Sequence, residues 1–263
     1  MARETKKMKP VRPAGIRWRL WGGMLLLGVA GVSTAMGALR VRHFALSDPQ
    51  FRLSRSHQDS LTLQGIKYAS RWKVQRVFAN DFEHSIFSVP LAERRRRLLA
   101  IDWVEDATVS RLWPDRLMVH IRERRPVAFV YFRSGVLLID AYGVLLDIPG
   151  PKGAPIQFAF PVLSGVREDE TEEQRRERVR CLLRMQDELG PLSKDISELN
   201  ASDPENLRMV AHVENRAIEL IMGDGNFSRR YQNFLNHYPE IKRRSPEVKA
   251  FDLRLDDRIT TKD

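Results

Sequence analysis

The chain has almost no cysteine: Cys181 stands alone among 263 residues. No intramolecular disulfide can form, so stability must come from packing. An exported domain without disulfides is ordinary for bacteria and less usual for small secreted eukaryotic domains. Cys181 sits beside Leu182 and Leu183, where a thiol reads as a small buried side chain rather than a nucleophile. Histidine is sparse too. The six histidines, at positions 43, 57, 84, 120, 212 and 237, show no metal-ligand spacing. No G-x-S-x-G, H-E-x-x-H or P-loop motif occurs. Gly223-Asp224-Gly225 lacks the further residues of a phosphate or calcium loop and reads as a turn. Asp102, Glu105 and Asp106 are close in sequence, but paired carboxylates need a cleft to shift a pKa, and the sequence shows none. The reading is a non-enzymatic chain without cofactor or metal.

Long apolar runs are scarce as well, with one exception. Residues 20–39 are 20 consecutive uncharged positions, closed by Arg19 and Arg40. At ~1.5 Å per residue they span ~30 Å, the thickness of a bilayer core. Trp18 and Trp21 suit the headgroup belt at the entry side. A cleaved signal peptide is the competing reading, with small residues at 35–37, but the run exceeds the usual ~7–15 residue core. Either way the remainder is exported. The net charge of +10 does not point to nucleic acid, which a binder meets with charge on its folded domain. Residues 1–19 hold seven basic side chains against Glu4, a net +6 of that total. This basic excess before the run sets the tail inside and the bulk outside.

The exported part shows mixed periodicity. Residues 40–60 read as a linker. Alternation predicts a strand at 61–66, then short helices at 71–79 and 91–100, the second opened by Pro90. The four arginines 94–97 read as a solvated helix face. Strands follow at 105–111 and 117–123, joined through Trp113-Pro114-Asp115, where Pro then Asp favours a type I turn with the Trp113 ring on the adjacent strand. Short apolar runs at 127–132, 136–140 and 144–148, with glycine between them, predict a meander of hairpins. After a loop at 150–155, a helix over 168–189 pairs Glu172 with Arg176 and stops at Gly190-Pro191. Strands at 207–213 and 217–222 turn at Asn215-Arg216. A helix over 227–236 precedes a last strand at 248–255, with Phe251, Leu253 and Leu255 on one face. The fold class is α+β: one N-terminal transmembrane helix, a β-α-α-β-β module, then a mixed, mostly antiparallel β domain with flanking helices.

Three motifs in this order carry a family resemblance. They are Asp102-Trp103-Val104-Glu105-Asp106-Ala107-Thr108-Val109, then Arg111-Leu112-Trp113-Pro114-Asp115-Arg116-Leu117, then Glu123-Arg124-Arg125-Pro126-Val127-Ala128. Leu138-Ile139-Asp140 with Gly143, Pro161-Val162-Leu163-Ser164-Gly165 and Asp252-Leu253-Arg254 extend it over residues 15–260. Behind a single membrane helix, the chain resembles the FtsQ/DivIB family of bacterial division proteins. It departs from the family pattern at Asp102, where a proline is usual, and in the polar segment after Arg254. The resemblance implies a cytoplasmic tail (1–19), a transmembrane helix (20–39), a linker (40–60), a POTRA domain (61–125) that helps recruitment, and a β domain (126–260). It implies a type II protein of the inner membrane at the division septum. It also implies a C-terminal strand that recruits FtsB and FtsL, with Arg254, Leu255, Asp257, Arg258, Ile259 and Thr260 as the contacting residues. A physical argument runs beside it: an edge strand has unpaired backbone groups to which a partner can add a strand. The rival readings are an outer-membrane assembly or secretion factor, which should carry a β-barrel after the POTRA, and an exported hydrolase with a close carboxylate pair in a deep pocket.

Overall fold

A computed structural model describes residues 16–56, 59–150, 158–256 and 258–261, with residues 16–23 described by backbone only. Residues 1–15, most of the expected loop at 150–155, and Asp257 lie outside the described residues.

The first helix, α1 (Ile16–Ser47), has 32 residues and includes a stretch, Met24–Ser47, long and apolar enough to cross a membrane. The expected linker therefore begins as helix. Nothing between Arg40 and Ser47 breaks it, and it stops where Pro49 forbids continuation. Asp48 then caps a 3-10 turn (Pro49–Phe51), accepting from Gln50 N at 2.9 Å.

Next come β1 (Leu61–Gln64), α2 (Arg71–Val77), α3 (Leu91–Leu99), β2 (Val104–Leu112) and β3 (Arg116–Glu123), with sheet order β1-β3-β2. Ser70 caps α2, accepting from Lys73 N. Two expectations fail here. The β2–β3 turn carries a cis Trp113–Pro114 peptide where a type I turn was expected. Trp113 is 66% exposed and its ring meets Phe51, not a neighbouring strand. The arginine face also differs. Arg94 is buried, and Arg95 donates to Ala107 O and Asp106 Oδ1, both at 2.8 Å. Long arginine stems cover apolar surface while their heads find acceptors.

The remaining elements are β4 (Pro126–Phe132), β5 (Gly135–Asp140), β6 (Leu145–Leu146), β7 (Val162–Ser164), α4 (Glu172–Leu189), β8 (Ile196–Asn200), β9 (Leu207–Val213), β10 (Arg216–Gly223), α5 (Phe227–Arg244), β11 (Ala250–Asp252) and β12 (Thr260–Thr261). Their nine strands form an open sheet, β12-β11-β10-β9-β8-β7-β4-β5-β6. Three of its pairings are parallel: β4 with β7, β7 with β8, and β10 with β11. The β9–β10 turn has Glu214 and Asn215 at positive φ, the pattern of a type I′ hairpin, one residue earlier than expected. Helix α4 starts in a full capping box between Thr171 and Gln174. Arg176 pairs with Glu173 at 3.7 Å rather than with Glu172, and lies over the Tyr142 ring. Helix α5 runs eight residues past its expected end, through Pro239.

Contacts divide the chain into two compact units. One comprises Met1–Thr62, Ala79–Pro90 and Ser110–Met118, and the other Leu63–Phe78, Leu91–Val109 and Val119–Asp263. In the first, Phe51 and Leu53 are buried and exchange backbone bonds with residues 83–86. In the second, alternation along the strands splits the apolar side chains between two cores. Ala128, Val130 and Ile139 join α4 (Val179, Leu182, Met185) and α5 (Tyr231, Phe234, Tyr238) on one face. Phe129, Leu138 and Leu146 join Trp103, Ala69 and Tyr68 on the other.

The signature residues turn out to be joints within the second unit. Glu123 Oε1 accepts from the N–H groups of Lys67, Tyr68 and Ala69 at 2.9, 2.8 and 2.7 Å. Trp103 Nε1 donates to Asp147 O at 2.8 Å. Asp140 is buried, accepts from Tyr142 N and Val144 N, and pairs with Arg124 at 3.0 Å. Gly143 sits at φ +85°, and a Cβ there would stand 2.5 Å from Glu172 O.

Two stability outcomes follow. Glu123→Ala strands three N–H donors and should cost about 1–3 kcal/mol, with Glu123→Gln costing less because one acceptor oxygen remains. Gly143→Ala should cost a further ~1–3 kcal/mol in backbone strain alone. Denaturant titration followed by tryptophan emission measures both. Unchanged midpoints would show that these joints do not hold the fold.

Candidate functional site at the C-terminal sheet edge

The end of the sheet is built on α5. Phe227, Tyr231, Phe234 and Tyr238 recur at helical spacing and are buried, while Asn233, His237, Glu240 and Arg244 lie on another side of the helix. Phe234 packs its ring against Phe251 of β11 at 5.2 Å between centroids. Tyr231 Oη donates to Asp195 Oδ2 at 2.8 Å. Burial, then this carboxylate, pushes the phenol's pKa well up. The helix is therefore seated by its aromatic stripe, and its connection lets β11 return parallel to β10, with Leu220 opposite Phe251.

Beyond β11 the chain does not continue as a strand. Expectation had Leu255 aligned with Phe251 and Leu253, but Phe251 and Leu253 are buried while Leu255 is 54% exposed. The reason is local. Asp252 Oδ1 accepts from Arg254 N at 3.0 Å, an Asx-type bond that turns the backbone. The Arg254 guanidinium folds onto the same carboxylate, its Nε at 3.0 Å from both oxygens. That hydrogen bond, then the charge, raises the Arg254 pKa and keeps the group protonated. Asp256 Oδ1 next accepts from Arg230 Nε at 2.9 Å, and Arg230 also donates to Met222 O at 2.7 Å. The chain then returns as β12, antiparallel to β11, with Thr260 opposite Asp252 and Thr261 opposite Phe251.

The residues implied by the resemblance are thus distributed unevenly. Arg254 is exposed but held by Asp252. Leu255 is free of the core and Ile259 half-buried against it, and both line a depression with Arg229, Arg230 and Asn233. Arg258 is exposed, and with Ile259 it lines a groove against Asn233, His237, Glu240, Ile241 and Arg244 of α5. Thr260 lies in the exposed edge strand. Asp257 lies outside the described residues. Sequence reasoning missed the α5 side of this groove, because it ended that helix at 236. The signal was present: Tyr231, Phe234, Tyr238 and Ile241 keep helical spacing across Pro239.

The surface is an open sheet edge beside a groove. Among the described residues no cluster of three His, Cys, Asp or Glu could hold a metal. The carboxylates near Trp103 are engaged by arginines. Arg95 and the Ala107 N–H hold Asp106 below the usual carboxylate range, and Arg122 lies 3.4 Å from Glu105. A carboxylate held ionised in this way is a poor general acid. The barrel that an outer-membrane factor would need is replaced by an open sheet with edges at β12 and β6.

Comparison with known proteins completes the description. Residues 56–124 match the POTRA domain, FtsQ-type. The cell division protein FtsQ of Koribacter versatilis is 33% identical over 239 residues, which cover 89% of this chain and 68% of that protein. FtsQ of Shewanella oneidensis is 25% identical over 93% of this chain and 87% of its own length, and FtsQ of Syntrophotalea carbinolica is 24% identical over 100% and 93%. With the fold, the POTRA-type segment and similarity along nearly its whole length in agreement, the chain belongs to the FtsQ family of cell division proteins.

Proposed function

We propose that this chain is a non-enzymatic scaffold of the divisome, anchored in the cytoplasmic membrane by α1 and holding other division proteins outside it. Its tail lies in the cytoplasm, its bulk is exported, and it works at the division septum. FtsB and FtsL are the partners expected at the C-terminal edge, by strand addition to β12, and the POTRA-type segment helps recruitment.

The observation that carries this reading is the construction of the edge. β12 is two exposed residues long, and the turn that leads into it is held by the Asp252–Arg254 and Arg230–Asp256 pairs. Its outer side offers backbone N–H and C=O groups to an incoming strand. The α5 groove beside it, with Ile241 and Ile259 among its lining residues, offers side-chain contact. Main-chain bonds supply affinity and the groove supplies selectivity. Such a surface suits an extended peptide better than a small substrate, and it needs no cofactor.

Two substitutions test the site, and the first separates binding from folding. Leu255→Asp changes an exposed side chain and should leave stability within ~0.5 kcal/mol. It should weaken an FtsB segment about tenfold or more in a titration, a loss of ~1.4 kcal/mol. Ile259→Asp should weaken binding and also destabilise the chain by ~1–3 kcal/mol, because Ile259 packs against the core. Normal FtsB binding by Leu255→Asp would place the site elsewhere. In dividing cells, an N-terminal fluorescent fusion should form a band at mid-cell before constriction. An even rim around the cell would overturn the division role while leaving the anchor intact.

A further inference from the structure

The end of α1 runs into an exposed aromatic patch within the first unit. Phe44, 53% exposed, sets its ring edge-on to Phe51 at 5.7 Å. Phe51 in turn touches Phe87 at 5.3 Å and Trp113 at 5.4 Å. Phe51 itself is buried, so it is the hub of the patch, while Phe87, Leu112 and Trp113 stay 38%, 37% and 66% exposed around it. Leu46, 40% exposed, lies on the last turn of the same helix. Isolated exposed apolar residues need no explanation, but a connected set at one place does.

The patch is fixed in position. Ser85 Oγ donates to Ala45 O at 2.7 Å, which ties the 85–89 segment to the helix end. Arg111 on β2 donates to Ile86 O at 2.7 Å, Val89 O at 2.9 Å and Phe87 O at 3.4 Å. The hairpin tip with Leu112 and Trp113 therefore stands beside the last turn of α1.

Its height along the helix axis is what gives it meaning, and here the argument rests on the reading that α1 crosses the bilayer. The uncharged run ends at Leu39. At ~1.5 Å per residue, Phe44 lies ~7.5 Å beyond it. The headgroup layer on each side of a bilayer is roughly 5–8 Å thick. Phe44 thus reaches headgroup depth; Phe51 stands one ring contact from it, and Phe87 and Trp113 one contact beyond Phe51. Arg40 and Arg42, both exposed on the helix, flank this level. An indole with an apolar body and one N–H is the side chain most at home there.

We propose that the β2–β3 hairpin tip is a membrane-docking element: Trp113, Leu112 and Phe87 insert into the headgroup layer of the bilayer that α1 spans, with Arg40 and Arg42 facing lipid phosphate. The occupant of the patch is lipid, and Trp113, the most exposed ring of the patch, is its main contact beside the helix. Docking at a second point beside α1 removes the free swivel that a single helix would leave to the first unit.

The test uses the full chain reconstituted in vesicles of phosphatidylethanolamine and phosphatidylglycerol. Trp113→Cys in a Cys181→Ala background carries an environment-sensitive dye, with the same dye on glutathione as the aqueous reference. Vesicle flotation reports the anchor separately, so a chain that fails to float refutes the membrane reading itself. In floated vesicles, headgroup-nitroxide lipid should quench the Trp113 dye several-fold more than the reference, and iodide several-fold less. Iodide access equal to the reference, without nitroxide quenching, overturns docking. Shielding from both quenchers assigns the patch to packing against protein, within the chain or a second copy of it, and overturns the lipid assignment. Because the labelled variant changes the ring itself, the native indole is read in parallel. Trp18 and Trp21, which suit the entry-side headgroup belt, are quenched in both proteins, so the readout is the difference. The emission quenched by headgroup nitroxide should be smaller in Trp113→Phe than in the native chain, and equal quenched emission in the two overturns the proposal.

Discussion

The buried carboxylate of Asp140 is the point on which the larger unit turns. One of its oxygens accepts the Tyr142 and Val144 N–H groups and closes the turn after β5. The other takes the Arg124 guanidinium. The Arg124 backbone N–H reaches Trp103 O at 3.0 Å, and the Trp103 indole reaches across to Asp147 O. The turn that Asp140 closes also presents Gly143 O to Arg175 Nε at 2.8 Å, which docks the first turns of α4. One side chain thus joins the exit of β3, the β5–β6 turn and a helix. Removing one partner from a buried ion pair typically costs ~3–5 kcal/mol, since the survivor is left charged and dry.

From that joint the sheet extends strand by strand to β12. The two central parallel pairs, β4 with β7 and β7 with β8, each need a crossover, and α4 lies between β7 and β8 in the chain. The parallel β10–β11 pair needs another, which is α5. The β7–β8 and β10–β11 crossovers each put a helix on the sheet, and the helix nearest the C-terminal edge supplies one wall of the groove there. The edge and the groove are thus one consequence of topology: a helix that returns the chain parallel to β10 must lie beside the strand it delivers. The short length of β12 limits the risk that goes with any open edge, because a two-residue ladder is a poor template for indiscriminate pairing.

Legibility followed the range of the forces involved. The β2–β3 hairpin, the β4–β5–β6 meander and the β9–β10 hairpin were readable because their alternation and turn residues are local. β8 was not, and β7 was noted only as part of a motif. β7 is three residues long and β8 five, and their parallel partners are distant in sequence. The reading of α5 stopped at 236, eight residues short: Pro239 lacks one N–H, but the aromatic stripe on either side holds the helix through it. The last strand was overdrawn because Leu255 continues the alternation of Phe251 and Leu253. The Asx-type bond at Asp252, which ends the strand, is a side-chain event that periodicity cannot see. Of the candidate site, the resemblance supplied the C-terminal half, and the α5 half became visible only in three dimensions. The signature residues themselves were legible as a pattern but not as joints.

The arginines show why total charge was a poor guide to function. Arg95, Arg111, Arg175, Arg178, Arg216 and Arg230 each donate to a backbone carbonyl at 2.7 to 2.8 Å. Arg124 and Arg178 pair with buried Asp140 and Glu170. A guanidinium holds five donors in a rigid plane, so one side chain can satisfy a carbonyl at a strand end and a carboxylate nearby. A lysine presents a single point of charge without that fixed planar geometry. In this chain, which lacks disulfides, arginine serves as the cross-link between segments. Among the described residues, these arginines are turned against carbonyls and carboxylates, so their charge is not presented as a surface for phosphates. The same cross-linking through Arg230 and Arg254 holds the C-terminal turn in shape before any partner arrives, which lowers the ordering cost that a flexible tail would bring to binding.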